Sequence, residues 1–215
     1  MTGFCGTNYL WDLLGYRLET APYTAYYPML GMLCRDKVLF YQHNLAIETW
    51  TDDLDMFRWN LAFGYNFSGD LLDPNNPWLT LAGLFQKHVL ARYADELVTG
   101  FALLPGNVTR TTFETFKTYA NWDQFNSFTH AGHVVTPGGA LVIADDGSVT
   151  AGVFANYNGQ FLSEGDHYLI EVRSKEAIKV FQPIGNDTLL KIKKDPTWPG
   201  VKVIAYDFND QPVTV

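Results

Sequence analysis

Hydrophobic and polar positions follow different patterns in the two halves of the chain. In the first half, short apolar runs alternate with stretches of helical spacing. The run VLFYQ at 38–42 is continuously apolar, as expected for a buried parallel strand. In residues 52–63, Phe57 and Leu61 repeat at helical spacing, and Gly64 is a suitable residue to end a helix. The pattern therefore predicts a strand followed by a helix.

The same alternation continues to about residue 100. Residues 65–71 are predicted to form a second short strand, and the next helix is predicted to begin at Pro77, which suits a first-turn position. One face of that helix carries Leu81, Phe85, Val89, Tyr93 and Leu97. Such a succession is typical of a β/α barrel or a layered α/β fold. Two units cannot close an eight-stranded barrel, so either this half docks on structure outside the chain or the strand predictions are wrong.

Beyond residue 100 the pattern indicates hairpins. Asp146-Gly147 and Asn158-Gly159 lie between β-rich runs, and both dipeptides favour tight hairpin turns. Residues 109–121 combine β-branched residues with apolar residues at helical spacing, and we predict a strand there. Four further runs of strand length follow: HYLIEVRS, AIKVFQPI, TLLKIKK and VKVIAYDF. Short strands at regular spacing, with turn residues between them, predict an antiparallel sandwich.

Composition narrows the expected partners. The chain has 15 Lys and Arg against 23 Asp and Glu, and an acidic surface repels phosphate backbones, so we expect no nucleic acid partner. No apolar run reaches the roughly 18 residues that a membrane-spanning helix needs. No run of basic residues indicates binding to a membrane surface, so we expect no membrane partner. Aromatic residues make up 15% of the chain. Such rings stack on the C–H faces of sugars, or they fill the core.

Several stretches, taken in chain order, resemble one family. YPML at 27–30, VLFYQHNL, LAFGYNFSGDLL and the helix that holds QKHVLARYADEL resemble the end of the barrel in a group of bacterial glycoside hydrolases. These are large TIM-barrel enzymes, distantly related to the α-galactosidase and endo-α-N-acetylgalactosaminidase groups. YANWDQ and TPGGALVIADDGSVTAG resemble the β-sandwich that follows the barrel in such enzymes. The resemblance covers most of the chain, and none of its motifs is a catalytic signature.

The resemblance implies both a fold and a function. The implied fold is α/β plus all-β. Residues 1–100 would form the C-terminal end of a (β/α)8 barrel, starting near its sixth strand, and residues 101–215 would form an antiparallel β-sandwich. The parent enzyme is expected to cleave a glycosidic bond with two carboxylates and no cofactor. The expected partners are a carbohydrate and the missing N-terminal part of the barrel, and we expect the fragment to be inactive alone.

Candidate sugar-binding residues follow the first predicted strand. In a β/α barrel, ligand groups lie at the carboxyl ends of strands and in the loops after them, which places His43, Glu48 and Trp50 on the active face. His43 is suited to bond a sugar hydroxyl or to tune a carboxylate, or it bonds to backbone as an ordinary loop histidine. Glu48 can bond hydroxyls while Trp50 stacks on the sugar, or the two are a solvated acid and a half-buried indole.

A second group of candidates lies near the start of the chain. Asn8, Trp11 and Asp12 could line a sugar subsite, although in a helix Asp12 would simply be exposed, and Asp70 borders the expected cleft. Asp12 and Glu48 are the carboxylate pair considered for catalysis, which requires a separation of roughly 5–5.5 Å for retention or 6.5–9.5 Å for inversion. We expect at least one true catalytic carboxylate upstream of this chain. No zinc-ligand spacing and no GxSxG or HExxH motif occurs, so no metal site is predicted.

Two other functions remain open from the residues. The chain could be a non-catalytic carbohydrate-binding or docking module, which the predicted sandwich and the aromatic content fit. It could also be a structural or assembly domain whose aromatic residues only fill the core. Detectable hydrolysis of an aryl glycoside by the purified chain would overturn the prediction that the fragment is inactive. A glycan-array signal that survives deletion of residues 1–100 would favour the binding module over the enzyme, and failure to bind any sugar, with normal folding, would favour the structural domain.

Overall fold

The computed structural model describes residues 29–35, 37–41, 53–67, 77–184, 190–207 and 211–213. Its helices are α1 (Met29–Cys34), α2 (Asp53–Phe63), α3 (Pro77–His88) and a 3-10 turn (Leu90–Arg92). Its strands are β1 (Gly100–Leu104), β2 (Val108–Thr112), β3 (Phe116–Asn121), β4 (Phe128–His130), β5 (His133–Val135), β6 (Ala140–Ala144), β7 (Val149–Tyr157), β8 (Gln160–Phe161), β9 (His167–Arg173), β10 (Ile178–Ile184), β11 (Ala205–Tyr206) and β12 (Pro212–Val213). Within these ranges, none of the helices has the length and apolar character needed to cross a membrane.

Strands β1 to β10 form one antiparallel sheet that curls into a half-barrel. β5 and β6 both pair with the same edge of β7, one after the other, so together they occupy one position in the strand order. β3 pairs with β6 and β4 pairs with β5, so β3 and β4 share the next position. β9 pairs with the other side of β7 and then with β10. Each position in the strand order is therefore filled by the strands that come next in the chain, which makes the sheet an up-and-down meander.

The inner face of the sheet, which we define as the face that contacts the helices, carries the main hydrophobic core. Successive residues of a strand point to opposite faces, so alternate positions reach this core. In β6 and β7 several of these positions are alanine, which leaves room for the bulky side chains of the helices. The Phe57 ring packs edge-on against Phe85 of α3 at 4.7 Å and Tyr168 of β9 at 5.1 Å. Inner-face members of this core include Ala140, Val142, Ala144, Ala151, Val153 and Ile170.

Gly64 ends α2 with a φ of +62°. In this left-handed conformation the N–H of Tyr65 reaches the carbonyl of Asn60 at 2.9 Å, the usual glycine stop of a helix. The buried Arg35 side chain donates to the carbonyl of Gly64 and, at 2.9 Å, to that of Ala94. A Cβ on Gly64 would lie 2.7 Å from the Arg35 guanidinium, so the position favours glycine for two independent reasons.

Two further hydrogen bonds join the end of α2 to the rest of the fold. The hydroxyl of Tyr93 donates to the carbonyl of Leu61 at 2.8 Å, and the hydroxyl of Thr118 in β3 donates to that of Ala62 at 2.9 Å. Burial raises the pKa of Tyr93, so its hydroxyl keeps its proton and remains a donor. Both carbonyls belong to the last helical turn, where no intrahelical partner exists. The sheet and the segment after the 3-10 turn therefore supply the hydrogen-bond donors that the last turn of α2 lacks.

The outer face of the sheet carries a second apolar cluster. Tyr119, Leu141, Phe154 and Leu169 are buried there, packed against side chains of residues 190–192. The sequence pattern predicts a strand for this stretch because Leu190 and Ile192 alternate with polar residues. The structure has no strand at 190–194, because the two side chains cover the outer face without backbone pairing to a neighbour.

The predicted end of a (β/α)8 barrel, followed by a β-sandwich, is wrong. The described chain is mostly one curled antiparallel sheet with few helices, and its parallel pairing amounts to one bridge between Tyr41 and Asn66. Leu39 and Tyr41 are partly exposed, whereas an inner barrel strand is buried on both faces. The physical reason is that α2 and α3 pack on the antiparallel sheet of the second half and not on a layer of parallel strands.

Several local predictions are confirmed. α2 ends before Gly64, and a helix begins at Pro77. The hairpin turns at Asp146-Gly147 and Asn158-Gly159 connect β6 to β7 and β7 to β8. The helix predicted to reach Leu97 instead ends at His88, and a 3-10 turn follows it. That turn directs the Tyr93 ring against Phe113 and Phe116 of the sheet: the ring centroids lie 4.8 and 5.1 Å apart.

Replacing Gly152 by Ala tests the close approach of β6 and β7. A Cβ at this position would lie 2.1 Å from the carbonyl oxygen of Ala140. We expect Gly152→Ala to lower the free energy of unfolding by about 3 kcal/mol, since backbone must move to admit the methyl group. Gly83→Ala is the matched control, because that position lies in α3 with open space around it, and it should gain about 0.5–1 kcal/mol. Denaturant unfolding measures both, and equal stabilities would contradict the geometry.

Candidate functional site

The site residues predicted from the sequence cannot be placed in the structure. The carboxylates considered for catalysis, Asp12 and Glu48, lie outside the described residues. The same is true of the substrate-binding candidates Asn8, Trp11, His43, Trp50 and Asp70. Their roles therefore stay predictions, and the candidate site described below is built from other residues.

An acidic depression lies between two turns of the sheet, and it is lined in part by Asp145 and Asp146. Lys117 forms an ion pair with Asp145. Hydrogen bonds from Ser148 hold the pKa of Asp146 below its ordinary value. These acids therefore stabilise the turns. Among the residues that the structure describes, no group of three or more His, Cys, Asp or Glu could hold a metal ion.

The loop formed by residues 122–127, which we name the Phe125 loop, lies at the opposite end of β3. Its Phe125 side chain is 90% exposed, the highest value among the large hydrophobic side chains described. Isolated apolar side chains on a surface are common. Phe125 differs from an ordinary exposed residue because hydrogen bonds hold the backbone on both sides of it.

Asp123 forms the turn that carries Phe125. Its carboxylate accepts hydrogen bonds from the backbone N–H groups of Phe125 and Asn126, at 2.8 and 2.9 Å, and from the Asn126 side chain at 3.0 Å. This is the side-chain-to-backbone turn that aspartate forms readily. These three hydrogen bonds lower the pKa of Asp123 because they favour the charged carboxylate, and the one from the Asn126 side chain has the largest effect.

Asn121 joins the loop to the neighbouring line of the sheet. Its buried amide donates to the carbonyls of Asn126 and Thr136, at 2.8 and 3.0 Å, and its side-chain oxygen accepts from the N–H of Asp123 at 3.2 Å. The N–H of Gly138 donates to the carbonyl of Asp123 at 2.8 Å. The loop is therefore bonded at both ends to residues 136–139, the kink between β5 and β6.

Arg58 of α2 joins this loop to the helical layer. Its guanidinium donates to the carbonyl of Gly138 at 2.6 Å and pairs with Asp55. It also lies over the Trp122 ring, 4.5 Å from the centroid, in a cation–π contact. The Trp122 indole N–H donates to Thr109 at 2.8 Å, so both the face and the edge of this ring are engaged.

The Phe125 loop exposes one aromatic ring, with polar neighbours, on a backbone that is held by hydrogen bonds. Gln124 and Ser127 are exposed beside it, and Gln124 reaches Asp55 in a long contact of 3.5 Å. A hydrogen-bonded backbone loses little conformational freedom on binding, so only the rotation of the Phe125 side chain remains to be ordered. A ring flanked by amide and hydroxyl groups is suited to a ligand with an apolar face and a polar rim.

No protein-family model, no curated protein and no solved structure matches this chain. The case for a function therefore depends on the geometry of the described residues. Sequence reasoning missed the Phe125 loop, although a signal was present: WDQFNS has an aspartate three residues before an asparagine, with an aromatic residue between them.

The lowered pKa of Asp123 predicts a loop that resists acid. A carboxyl whose pKa is lower in the folded state stabilises the fold above its ordinary value of 3.8 and loses this effect as the pH falls through the folded value. We expect the backbone amide signals of Phe125 and Asn126 in NMR spectra to stay constant from neutral pH to below 3.8. Asp123→Asn should broaden or shift both signals at every pH, since a neutral amide is a weaker acceptor.

Asp146→Asn is the matched control for this experiment. Asp146 caps a different turn with similar hydrogen bonds to Ser148, so its replacement should leave the two loop signals unchanged. A titration of the Phe125 amide signal with its midpoint at or above 3.8, the ordinary pKa of an aspartate carboxyl, would contradict the hydrogen bonding described for Asp123.

Proposed function

We propose that this chain is a non-catalytic carbohydrate-binding module whose binding site is the Phe125 loop. The observation that carries the proposal is the 90% exposed Phe125 ring on a loop held by hydrogen bonds of Asp123 and Asn121. The ring stacks on the C–H face of a sugar, and Gln124 and Ser127 bond its hydroxyl groups. This role needs no reacting group and no cofactor.

A sugar fits this surface better than a protein partner does. A stable protein interface buries roughly 1,000 Å² or more, with an apolar centre. Phe125 is a single ring among polar neighbours, since Asp123, Gln124, Asn126 and Ser127 surround it in the sequence. A sugar ring matches one aromatic side chain in size and is itself apolar on its faces and polar at its rim. One ring supports a weak affinity, with a dissociation constant on the order of 1 mM.

The glycoside hydrolase resemblance provides a setting for such a module. In that setting the chain would hold a polysaccharide while another part of the parent protein cleaves it. The cleavage itself stays a prediction, because the carboxylates considered for it, Asp12 and Glu48, lie outside the described residues. The binding proposal depends on the Phe125 loop and does not require these carboxylates.

Glycan-array screening followed by calorimetry tests the proposal. We expect wild-type protein to bind at least one neutral glycan, and Phe125→Ala to weaken that binding by about tenfold or more, because the stacking surface is lost. Phe125→Tyr keeps the aromatic face and should retain binding.

Phe161→Ala is the matched control for Phe125→Ala. Phe161 is 76% exposed on the short strand β8, so its replacement removes another well-exposed phenylalanine ring from a different part of the surface. Its glycan affinity should equal that of the wild type. Absence of binding to every glycan tested, or equal weakening by the two alanine variants, would overturn the proposal.

A further inference from the structure

A cluster of basic side chains lies on the outer face of the sheet. Arg110 comes from β2, His130 from β4, His133 from β5 and Lys193 from the stretch that covers this face. Arg110 lies directly opposite Tyr119 in the sheet, the centroid of the Tyr119 ring lies 4.1 Å from that of His130, and His130 is the cross-strand partner of His133. Lys193 follows Ile192, which packs on the same outer-face cluster as Tyr157, the ring that contacts His133. We name these four residues the basic cluster. In a chain of net charge −8, the positive charges of Arg110 and Lys193 beside two histidines are a local exception.

The hairpin turn between β4 and β5 places the two histidines side by side. Ala131 and Gly132 have φ values of 52° and 83°, as in the tight turns that join antiparallel strands. His130 and His133 are therefore directly opposite partners, and their side chains lie on the same face.

Aromatic neighbours hold both imidazole rings in place. The centroid of the His130 ring lies 4.1 Å from that of Tyr119. The centroid of the His133 ring lies 4.6 Å from that of Tyr157 and 5.4 Å from that of Phe154. Since these rings belong to the outer-face cluster, the imidazoles are fixed before any ligand arrives.

The backbone of Asn158 determines which nitrogen of His133 carries the proton. Its N–H donates to Nδ1 of His133 at 3.4 Å, so the neutral ring carries its proton on Nε2 and can donate from there. The Asn158 side chain also donates to the carbonyl of Lys191 at 2.9 Å, which holds the stretch that carries Lys193. The same turn residue therefore positions two members of the basic cluster.

The basic cluster has donors without acceptors. The Nε atom of Arg110 is buried and has no hydrogen-bond partner among the residues that the structure describes. Neither Arg110 nor Lys193 takes part in the ion pairs found within the described ranges. A buried donor without an acceptor destabilises the site. Because this Nε has almost no accessible surface while Arg110 as a whole is half-buried, an anion from solvent would contact the outer nitrogens of the guanidinium.

We propose that Arg110, His130, His133 and Lys193 form a binding site for an oxyanion, either a free inorganic anion or the acidic group of a sugar. The anion accepts hydrogen bonds from the arginine, the lysine and Nε2 of His133. Arginine and lysine supply permanent positive charge, and the histidines supply donors whose charge depends on the pH. This site is separate from the Phe125 loop and does not depend on the proposed binding of neutral sugars there.

The histidines link anion binding to proton uptake. Without a ligand, the pKa of His133 is lowered to about 4, mainly by burial and to a smaller extent by the charges of Lys193 and His130. Burial and then Arg110 lower the pKa of His130. A bound anion stabilises the protonated rings and so raises both pKa values. Binding of an anion of constant charge must therefore strengthen as the pH falls from neutral.

Other charged groups on the outer face are mostly matched by partners. Glu171 pairs with Arg173 and accepts from the Tyr157 hydroxyl at 2.9 Å, so its charge is offset locally. His167 contacts Ser163 and Gln182 through its two ring nitrogens. Among the residues that the structure describes, other ionisable side chains near this face include Tyr119 and also Lys117, which pairs with Asp145.

Calorimetric titration with sodium sulfate at constant ionic strength tests the site, because sulfate keeps its charge over the relevant pH range. We expect saturable binding by the full chain, stronger at about pH 4.5 than at about pH 7.5, because protonation of His133 begins only as the pH approaches its pKa of about 4, with a change in the NMR signals of the His133 ring. Arg110→Gln should weaken sulfate binding by about tenfold or more. Lys193→Gln, which alters an exposed side chain and leaves the fold unchanged, should weaken it as well.

Arg92→Gln and Lys202→Gln are the matched controls, since both residues are exposed and lie outside the basic cluster. Sodium glucuronate and glucose distinguish the two sources of the anion. Binding of glucuronate, but not of glucose, that depends on Arg110 assigns the site to an acidic sugar. Binding of sulfate alone assigns it to an inorganic anion.

The site proposal has clear ways to fail. It is overturned if sulfate and glucuronate both fail to bind, or if the control variants weaken binding as much as Arg110→Gln and Lys193→Gln do. An affinity that stays constant or falls with decreasing pH would remove the histidines from the site. Neutral glycan binding by the Phe125 loop is measured with different variants, so either proposal can fail while the other stands.

Discussion

The fold depends on the way the carboxyl end of α2 is bonded to distant parts of the chain. The last turn of a helix has carbonyl groups without intrahelical partners, and each one left unsatisfied in the core would cost about 1–3 kcal/mol. Here Tyr93, Thr118 and Arg35 supply donors from the 3-10 region, from β3 and from the end of α1. Because those donors come from segments far apart in the sequence, the helix and the sheet stabilise each other.

The same helix determines the shape of the candidate site. Arg58, near the middle of α2, bonds the kink at Gly138 and lies over the Trp122 ring, so the Phe125 loop is held from the helical side. Asp123 and Asn121 hold it from the sheet side. The basic cluster lies on the outer face of the sheet, where the β4–β5 hairpin and the outer-face aromatic residues position its two histidines. Both sites are therefore supported by hydrogen bonds and packing contacts from several parts of the fold.

Local chemistry made part of this structure predictable. Asp146-Gly147 and Asn158-Gly159 form tight turns because Gly147, Asn158 and Gly159 adopt positive φ, which few other residues tolerate. Gly64 ends α2 for the same reason. The barrel prediction failed because alternating strands and helices do not specify which strands pair. The candidate sites were missed because exposure of Phe125, and the meeting of Arg110 with His130, arise only when separate segments come together.

The amino-acid sequence alone determined the tight turns at Asp146-Gly147 and Asn158-Gly159, the end of α2 at Gly64, and that the second half forms antiparallel hairpins. These properties follow from the conformational limits of single residues and from the alternation of side chains along a strand. Only the tertiary structure decided that α2 and α3 pack on the curled sheet, that residues 190–192 cover its outer face unpaired, and that basic side chains from four segments meet there. Such contacts join residues far apart in the chain, and their free energy depends on the whole packing and not on any local pattern.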